Sequence, residues 1–313
     1  MDLRQLEIIR AIADTGSFTA AGEKLRVSQS AISRQILLLE AELGEPAFHR
    51  IGRRIRITPA GEALVRLSHR VFQDLQETVS AITETQESMR GTLRLVGSMT
   101  VCLYVFPSLL AEVRRAHPNL DLKITVGSGD RSLALLRSGS ADLGLVTLPV
   151  DAADLEAVAV LEEELLLITY PTHPLAARQR IRPADLTRQP FILFEAGSIT
   201  RRLVEEFLAR EHIEPQIVME TENVEIIKAM VRHGLGISII PWQAAAADVR
   251  TTQLHCSRIA GHALHRDTGW LYPKMRRLPR AVSEVMRVFE QIQPKFEAAV
   301  KAPPRLSTVL GAP

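Results

Sequence analysis

Apolar residues recur at threes and fours from the amino terminus to about Gly91, after which short strand-length runs alternate with helical stretches. Leu3, Leu6, Ile9, Ile12 and Ala13 form a first helical stripe. Ser17 can cap a short second helix with Ala20, Ala21 and Leu25 facing inward, and Ser28 a third in which Ile32, Ile36 and Leu39 continue the stripe. Leu25-Arg26-Val27 leaves room only for a tight corner, so the pattern predicts a helix-turn-helix whose second helix projects outward. Phe48 to Ile57 reads as a two-stranded ribbon with Gly52-Arg53 at its tip, a wing. Thr58 and Pro59 then open a long helix. Its seam is Leu64, Leu67, Val71, Leu75, Val79 and Ile82, continued by Thr85 or Met89, with neither proline nor glycine inside it.

Beyond Gly91 the pattern predicts strands at Thr92–Gly97, Leu120–Val126 and Ala141–Val146, with helices at Val105–His117 and Ser132–Ser138 between them. The order repeats with strands at Leu165–Tyr170, Phe191–Phe194, Gln216–Glu220 and Gly236–Ile240 and helices at Thr200–Glu211 and Val224–Arg232. A late strand at Trp270–Tyr272 and a helix from Pro279 to Ala299 complete it. Such alternation implies parallel strands with helices on their faces. Crossing strands near Leu165 and Trp270 would join two α/β subdomains into a hinged cleft of the periplasmic-binding-protein type. The expected fold class is therefore α/β: an N-terminal winged helix-turn-helix, a long linker helix, then two α/β subdomains. The expected boundaries are 1–58 for the head, 59–90 for the long linker helix, and 91–300 for the pair of α/β subdomains. Within the last, subdomain I covers about 91–163 and 268–300 and subdomain II about 164–267. Residues 301–313, with Pro303-Pro304 and Gly311-Ala312-Pro313, read as a disordered tail.

A protruding helix of this width fits the DNA major groove. Its exposed face would carry Gln29, Ser30, Ser33 and Arg34. Glutamine pairs bidentately with adenine, and arginine takes guanine or a phosphate; the alternative is an ordinary solvated face. Ser17, Thr19 and Ser28 stand at the two helix starts, where short polar groups meet phosphates. The formal net charge is only +2, but Arg50, Arg53, Arg54 and Arg56 crowd the ribbon with no acid between them. They would lie over the backbone or the minor groove and add salt-sensitive affinity, unless the hairpin is merely solvated. The long seam wants a partner, either the same helix of a second subunit or this chain's own second domain.

The first ninety or so residues resemble the LysR-type transcriptional regulators. The resemblance rests on Met1-Asp2-Leu3-Arg4-Gln5-Leu6, Gly16-Ser17-Phe18-Thr19-Ala20-Ala21, Ser28-Gln29-Ser30-Ala31-Ile32-Ser33-Arg34-Gln35-Ile36 and Leu39-Glu40-Ala41-Glu42-Leu43-Gly44. It continues through Phe48-His49-Arg50 and Ile57-Thr58-Pro59-Ala60-Gly61. Pro46-Ala47 departs from it, standing where a larger apolar residue is usual, so packing under the wing is expected to differ. Pro118-Asn119-Leu120, Gly139-Ser140-Ala141-Asp142-Leu143-Gly144-Leu145, His173-Pro174-Leu175 and Gly234-Leu235-Gly236-Ile237-Ser238-Ile239-Ile240-Pro241 extend the resemblance to about residue 295. It implies a dimer or tetramer joined through the linker helix, binding double-stranded promoter DNA at spaced half-sites, with RNA polymerase a possible further partner. It also implies a small-molecule effector in the cleft, lined by the loop after the first strand.

An internal echo points to the effector. Gly97-Ser98-Met99-Thr100 follows a strand of one subdomain and Gly197-Ser198-Ile199-Thr200 a strand of the other, each leading into a helix. Hydroxyls and free amides at a helix start make a donor-rich cup for a carboxylate or similar anion, although each phrase alone is also an ordinary cap. Ser98, Met99, Thr100, Ser198 and Thr200 would line the site, with Arg201 or Arg202 as countercharge and Ser128 and Thr147 on the rim. Aromatics make up 4% of the chain and none cluster near the cups, which favours a small polar anion over a large aromatic ligand.

Other classes fit poorly. Cys102 and Cys256 lack metal-like spacing, His262 and His265 have no companion ligand pair, and there is neither a nucleotide-binding glycine fingerprint nor a nucleophile elbow. The expectation is no enzyme, no cofactor and no metal. No apolar run reaches membrane-spanning length, and Asp2, Arg4 and Glu7 break any leader pattern, so a cytoplasmic protein is expected. The remaining alternative is a transport-type solute-binding protein.

Overall fold

The computed structural model describes residues 1–51, 54–83, 89–178, 180–275 and 278–300. The chain divides into two compact units, one of Met1–Gly91 with Ala134–Ala141, the other of Thr92–Leu133 with the residues from Asp142 onward.

The first unit begins with α1 (Leu3–Thr15), opened by a reciprocal cap in which Asp2 accepts from the Gln5 amide and the Gln5 side chain accepts from the Asp2 amide. It stops at Gly16, whose φ of 65° is the left-handed conformation that glycine adopts without penalty. α2 (Phe18–Leu25) and α3 (Gln29–Leu43) follow, capped by Ser17 and Ser28 as the pattern predicts. The corner between them depends on Gly22, where a β-carbon would lie 2.7 Å from the Val27 carbonyl oxygen. Leu6, Ile9, Ile12, Ala21, Ile32, Ile36 and Leu39 bury a common core. β1 (Phe48–Ile51) and β2 (Arg54–Ile57) pair antiparallel as the expected hairpin, Phe48 opposite Ile57. Its tip, Gly52 and Arg53, lies outside the described residues.

The expected departure under the wing has a structural counterpart. Ala47 is fully buried, and its carbonyl accepts from the Thr58 amide at 3.0 Å. A β-carbon at Gly61 would fall 2.1 Å from that same oxygen. The glycine at 61 thus lets α4 (Pro59–Thr83) approach the backbone at the start of the hairpin. Replacing Gly61 by alanine sets side chain against backbone and is expected to cost about 1–3 kcal/mol. Urea unfolding checks this, and an unchanged midpoint would show that the two segments separate cheaply.

The seam of α4 divides in two. Leu64 and Val65 are buried in the head's own core, with Leu67, Val71 and Phe72 packed against it. Leu75 and Val79 are exposed at 41% and 57%. Of the expected dimerisation seam, Leu64 is thus buried in the head itself, while Leu67 and Val71 are partly buried against that core. The side chain of Ile82 and all of Thr85 lie outside the described residues, as does the tail from 301.

After α4 the chain forms β3 (Gly91–Gly97), α5 (Met99–Tyr104), α6 (Phe106–Ala116), β4 (Leu120–Val126), α7 (Gly129–Arg137), β5 (Leu143–Leu148) and β6 (Leu155–Thr169). It continues with β7 (Pro190–Leu193), α8 (Ile199–Arg210), β8 (Gln216–Glu220), α9 (Val224–Arg232), β9 (Ser238–Pro241), α10 (Trp242–Arg250), β10 (His255–Ser257), β11 (Leu264–Pro273) and α11 (Arg280–Val300). The main sheet runs β10-β6-β11-β5-β3-β4 with β9 also on β6, while β7 and β8 pair apart. β3–β5 and β7–β8 are parallel, as alternation predicts. β6 and β11, however, run antiparallel to each other, β11 to β5, and β9 and β10 to β6, so the sheet is mixed. The long crossing strands β6 and β11 carry the chain between a lobe built on β3–β5 and a lobe built on β7–β10.

Candidate DNA-reading face and effector cleft

On the head, Ile32 and Ile36 turn inward, and the same helical period turns Gln29, Ser30 and Arg34 to solvent with Ser33 half-buried beside them. The Gln29 amide donates to the Ser33 hydroxyl at 2.8 Å, which holds both polar groups on one strip of α3. Arg34 is exposed and has no ion-pair partner among the described residues. The Ser28 hydroxyl accepts from the Ala31 amide at 3.2 Å and lies 3.0 Å from the Ser30 hydroxyl. Ser17 accepts from the Ala20 amide at 3.4 Å, and Thr19 next to it is exposed. On the wing, His49 and Arg56 oppose each other and are both exposed. Arg53 and the side chains of Arg50 and Arg54 lie outside the described residues.

In the second unit the two echoing phrases converge. Thr100, at the start of α5, and Thr200, at the start of α8, are both buried, and both accept from one guanidinium, that of Arg266 on β11. Nη2 reaches Thr100 Oγ1 at 2.8 Å and Nη1 reaches Thr200 Oγ1 at 2.7 Å. Nε donates to Glu163 Oε2 at 2.7 Å, and the Thr268 hydroxyl donates to that oxygen at 2.9 Å. Glu163 stands directly opposite Arg266 in the β6–β11 register, and Thr147 opposite Thr268. One buried arginine therefore ties the crossing strands to the first turn of a helix from each lobe.

The two cups are not equivalent. Ser198 caps α8 by accepting from the Arg201 amide at 3.1 Å. Ser98 makes no cap bond, and its buried Oγ has no partner among the described residues. The glycines differ too: Gly197 needs its freedom for a φ of 91°, whereas Gly97 clears Phe106 and Cys102, which a β-carbon would meet at 2.8 and 2.9 Å. Met99 is half-buried beside Ser98, and Ser128 is exposed.

Arg201 is not the countercharge expected of it. Its buried side chain donates to the Phe194 carbonyl at 2.8 Å and pairs with Glu205 at 2.7 Å and Glu220 at 2.9 Å, all within its own lobe. Arg202 is exposed. The guanidinium that reaches both cup threonines is that of Arg266. It and Glu163 escaped the sequence reading because Glu162-Glu163-Glu164 looks like a polar flank. Strand parity carried the missed signal: Glu163 falls between Leu161 and Leu165, and Arg266 between Leu264 and Thr268, on faces otherwise inward.

α5 is tied to the second lobe a turn later as well. The Tyr104 hydroxyl contacts Glu225 and accepts from Lys228 Nζ at 3.3 Å. Lys228, itself buried, also donates to the Ala244 carbonyl at 2.9 Å and to Asp248 at 2.7 Å. Gln243 donates to the Tyr104 carbonyl at 3.3 Å. Burial first, then the Glu225 hydrogen bond and the charges of Glu225 and Asp248, hold the Tyr104 hydroxyl protonated far above its ordinary range. Cys102 lies between these anchors, and burial pushes its thiol up to about 11, toward the protonated form.

Comparison with known proteins matches residues 3–62 to the model of the bacterial regulatory helix-turn-helix protein, lysR family, and residues 86–293 to the LysR substrate binding domain. A probable RuBisCO transcriptional regulator of Trichormus variabilis is 33% identical over 300 residues, covering 94% of this chain and 88% of that protein. The HTH-type transcriptional activator CmpR of Synechocystis is 33% identical over 276 residues, covering 88% and 90%. A full-length OxyR variant from Pseudomonas aeruginosa superposes with a TM-score of 0.76 at 25% identity, covering 93% of this chain and 95% of that one. Full-length CbnR, solved with its target DNA, shares the fold with a TM-score of 0.63 at 24% identity, covering 93% and 99%.

Proposed function

Since this chain belongs to the LysR family, and is thus a DNA-binding transcriptional regulator with an effector-binding domain rather than an enzyme or a transport binder, we propose which residues carry each task. α3 enters the major groove with Gln29, Ser30, Ser33 and Arg34 toward base edges and phosphates. Ser17, Thr19 and Ser28 approach phosphates at the helix starts, and the wing arginines Arg50, Arg53 and Arg54 add sequence-independent attraction. What supports this is the exposure of Gln29 and Arg34 on the helix whose other face is core.

The effector is a small anion held between the lobes by Ser98, Thr100, Thr200 and Arg266, with Met99, Thr147, Ser198 and Ser128 around it. The observation that carries this reading is the single guanidinium bonded to both cup threonines at 2.7 and 2.8 Å. An anion drawing those groups together shifts the lobes relative to each other, and with them promoter occupancy or RNA polymerase contact. Residues 1–58, 59–90 and 91–300 are the functional divisions. Promoter DNA as a target makes the cytoplasm the working compartment; among the described residues no helix is long and apolar enough to cross a membrane. Relatives named as RuBisCO regulators make promoters of that class the first to test.

The unit is a homodimer, or a tetramer of two such dimers, joined through the exposed end of α4. Leu75→Glu with Val79→Glu is expected to lower the sedimenting mass to that of the monomer and to weaken binding to a two-half-site promoter at least tenfold. Unchanged mass would place the subunit contact elsewhere. Isothermal titration of the dimer with sulfate and inorganic phosphate tests the anion site; no heat from either, at matched ionic strength, would remove the anionic effector.

A further inference from the structure

The cleft already contains an anion of the protein's own. The side chains of Glu163 and Arg266 are 4% and 2% exposed, and their 2.7 Å contact cancels the guanidinium charge where an effector would meet it. Hydrogen-bonding capacity nevertheless remains. Arg266 gives one hydrogen bond each to Glu163, Thr100 and Thr200, from a group with five N–H donors. Thr100 and Thr200 accept from it, so their own hydroxyl hydrogens remain to be given, and the buried Ser98 Oγ has no partner among the described residues. Donors are assembled while net charge is withheld.

We propose that Glu163 is a tethered competitor that sets effector specificity. This deepens, and rests on, the reading of the cleft as an anion site. A singly charged anion with two acceptor atoms gains little there, because it meets a guanidinium already neutralised and must share the space with a carboxylate. An oxyanion with more acceptor oxygens engages the remaining guanidinium edge, both threonines and Ser98 together, and those added hydrogen bonds offset the larger repulsion that its extra charge meets from Glu163. The residue acts by charge placed beside the ligand and not by contact alone. A pair serving only to staple β6 to β11 predicts a different outcome when it is broken.

The test titrates the full-length protein with sulfate and with acetate, at ionic strength matched with chloride, comparing wild type, Glu163→Gln and Glu163→Asp. Glutamine keeps an acceptor for Nε but removes the charge; aspartate keeps the charge and withdraws it by one methylene. Sulfate is expected to bind Glu163→Gln at least tenfold more tightly than wild type, with Glu163→Asp between them, and acetate to register only with Glu163→Gln. If the glutamine variant does not fold by circular dichroism, the aspartate variant decides, with a gain of about threefold expected. Equal or weaker sulfate binding in the folded variants overturns the proposal and leaves Glu163 as a positioner of Arg266. Binding to none of the three proteins overturns the anion reading itself, and the proposal with it.

Discussion

Arg266→Met is expected to destabilise the protein by roughly 3–5 kcal/mol and to abolish its response to anions. The cause is the carboxylate left behind. Glu163 is 4% exposed, and without the guanidinium its remaining partner among the described residues is the Thr268 hydroxyl. Thr100 and Thr200, one from each lobe, lose their common donor at the same time. Adding Glu163→Leu removes the stranded charge, and the double variant is expected to recover most of the stability but none of the anion response, since apolar replacement of a buried pair is often neutral. Urea unfolding followed with and without sulfate separates the two effects. A single variant as stable as wild type would show that water or a shifted side chain solvates Glu163 cheaply.

Arg34→Ala is expected to weaken promoter binding by about 1–3 kcal/mol per head, and by about twice that in a dimer using both heads, with the thermal midpoint unchanged. The side chain is exposed, and the core residues of α3, Ile32, Ile36 and Leu39, are untouched by its loss. Fluorescence anisotropy with labelled promoter, beside a thermal scan, measures both quantities. Wild-type affinity in the variant would remove Arg34 from the contact surface. Equal losses on promoter and random duplex would make it a phosphate contact instead of a base contact.

The head was legible because its helices are short, capped and one-sided, so Ser17, Ser28 and the stripe through Ile32, Ile36 and Leu39 announce both the elements and their inner faces. The cleft was half legible. The repeated glycine-serine phrases led to Thr100 and Thr200, because a turn into a helix has a local signature. Their partner came from a strand 166 residues beyond the first and 66 beyond the second, and such long-range pairing leaves no local mark. The full length of β6 was hidden for a different reason: Glu162-Glu163-Glu164 interrupts it and sets the exposed stretch from Glu156 to Ala159 apart from the buried run that follows. α10 was missed because Trp242, Ala244, Ala245, Ala246, Asp248 and Val249 are buried nearly all round, and a helix without a polar face has no stripe to read. The seam of α4 misled in the opposite sense. Periodicity shows that a face is apolar but not what covers it, and the first half of this one packs on the head.

The central claim is that reading DNA and sensing a metabolite are separate tasks of α3 and of the Arg266 cleft. The most direct test is transcript output from the promoters that the protein occupies in cells, compared between wild type and the stabilised Arg266→Met, Glu163→Leu protein across growth conditions. The account predicts the same promoters occupied in both, with transcript levels varying in wild type and flat in the variant. Transcripts that still rise and fall with the variant in place would contradict it.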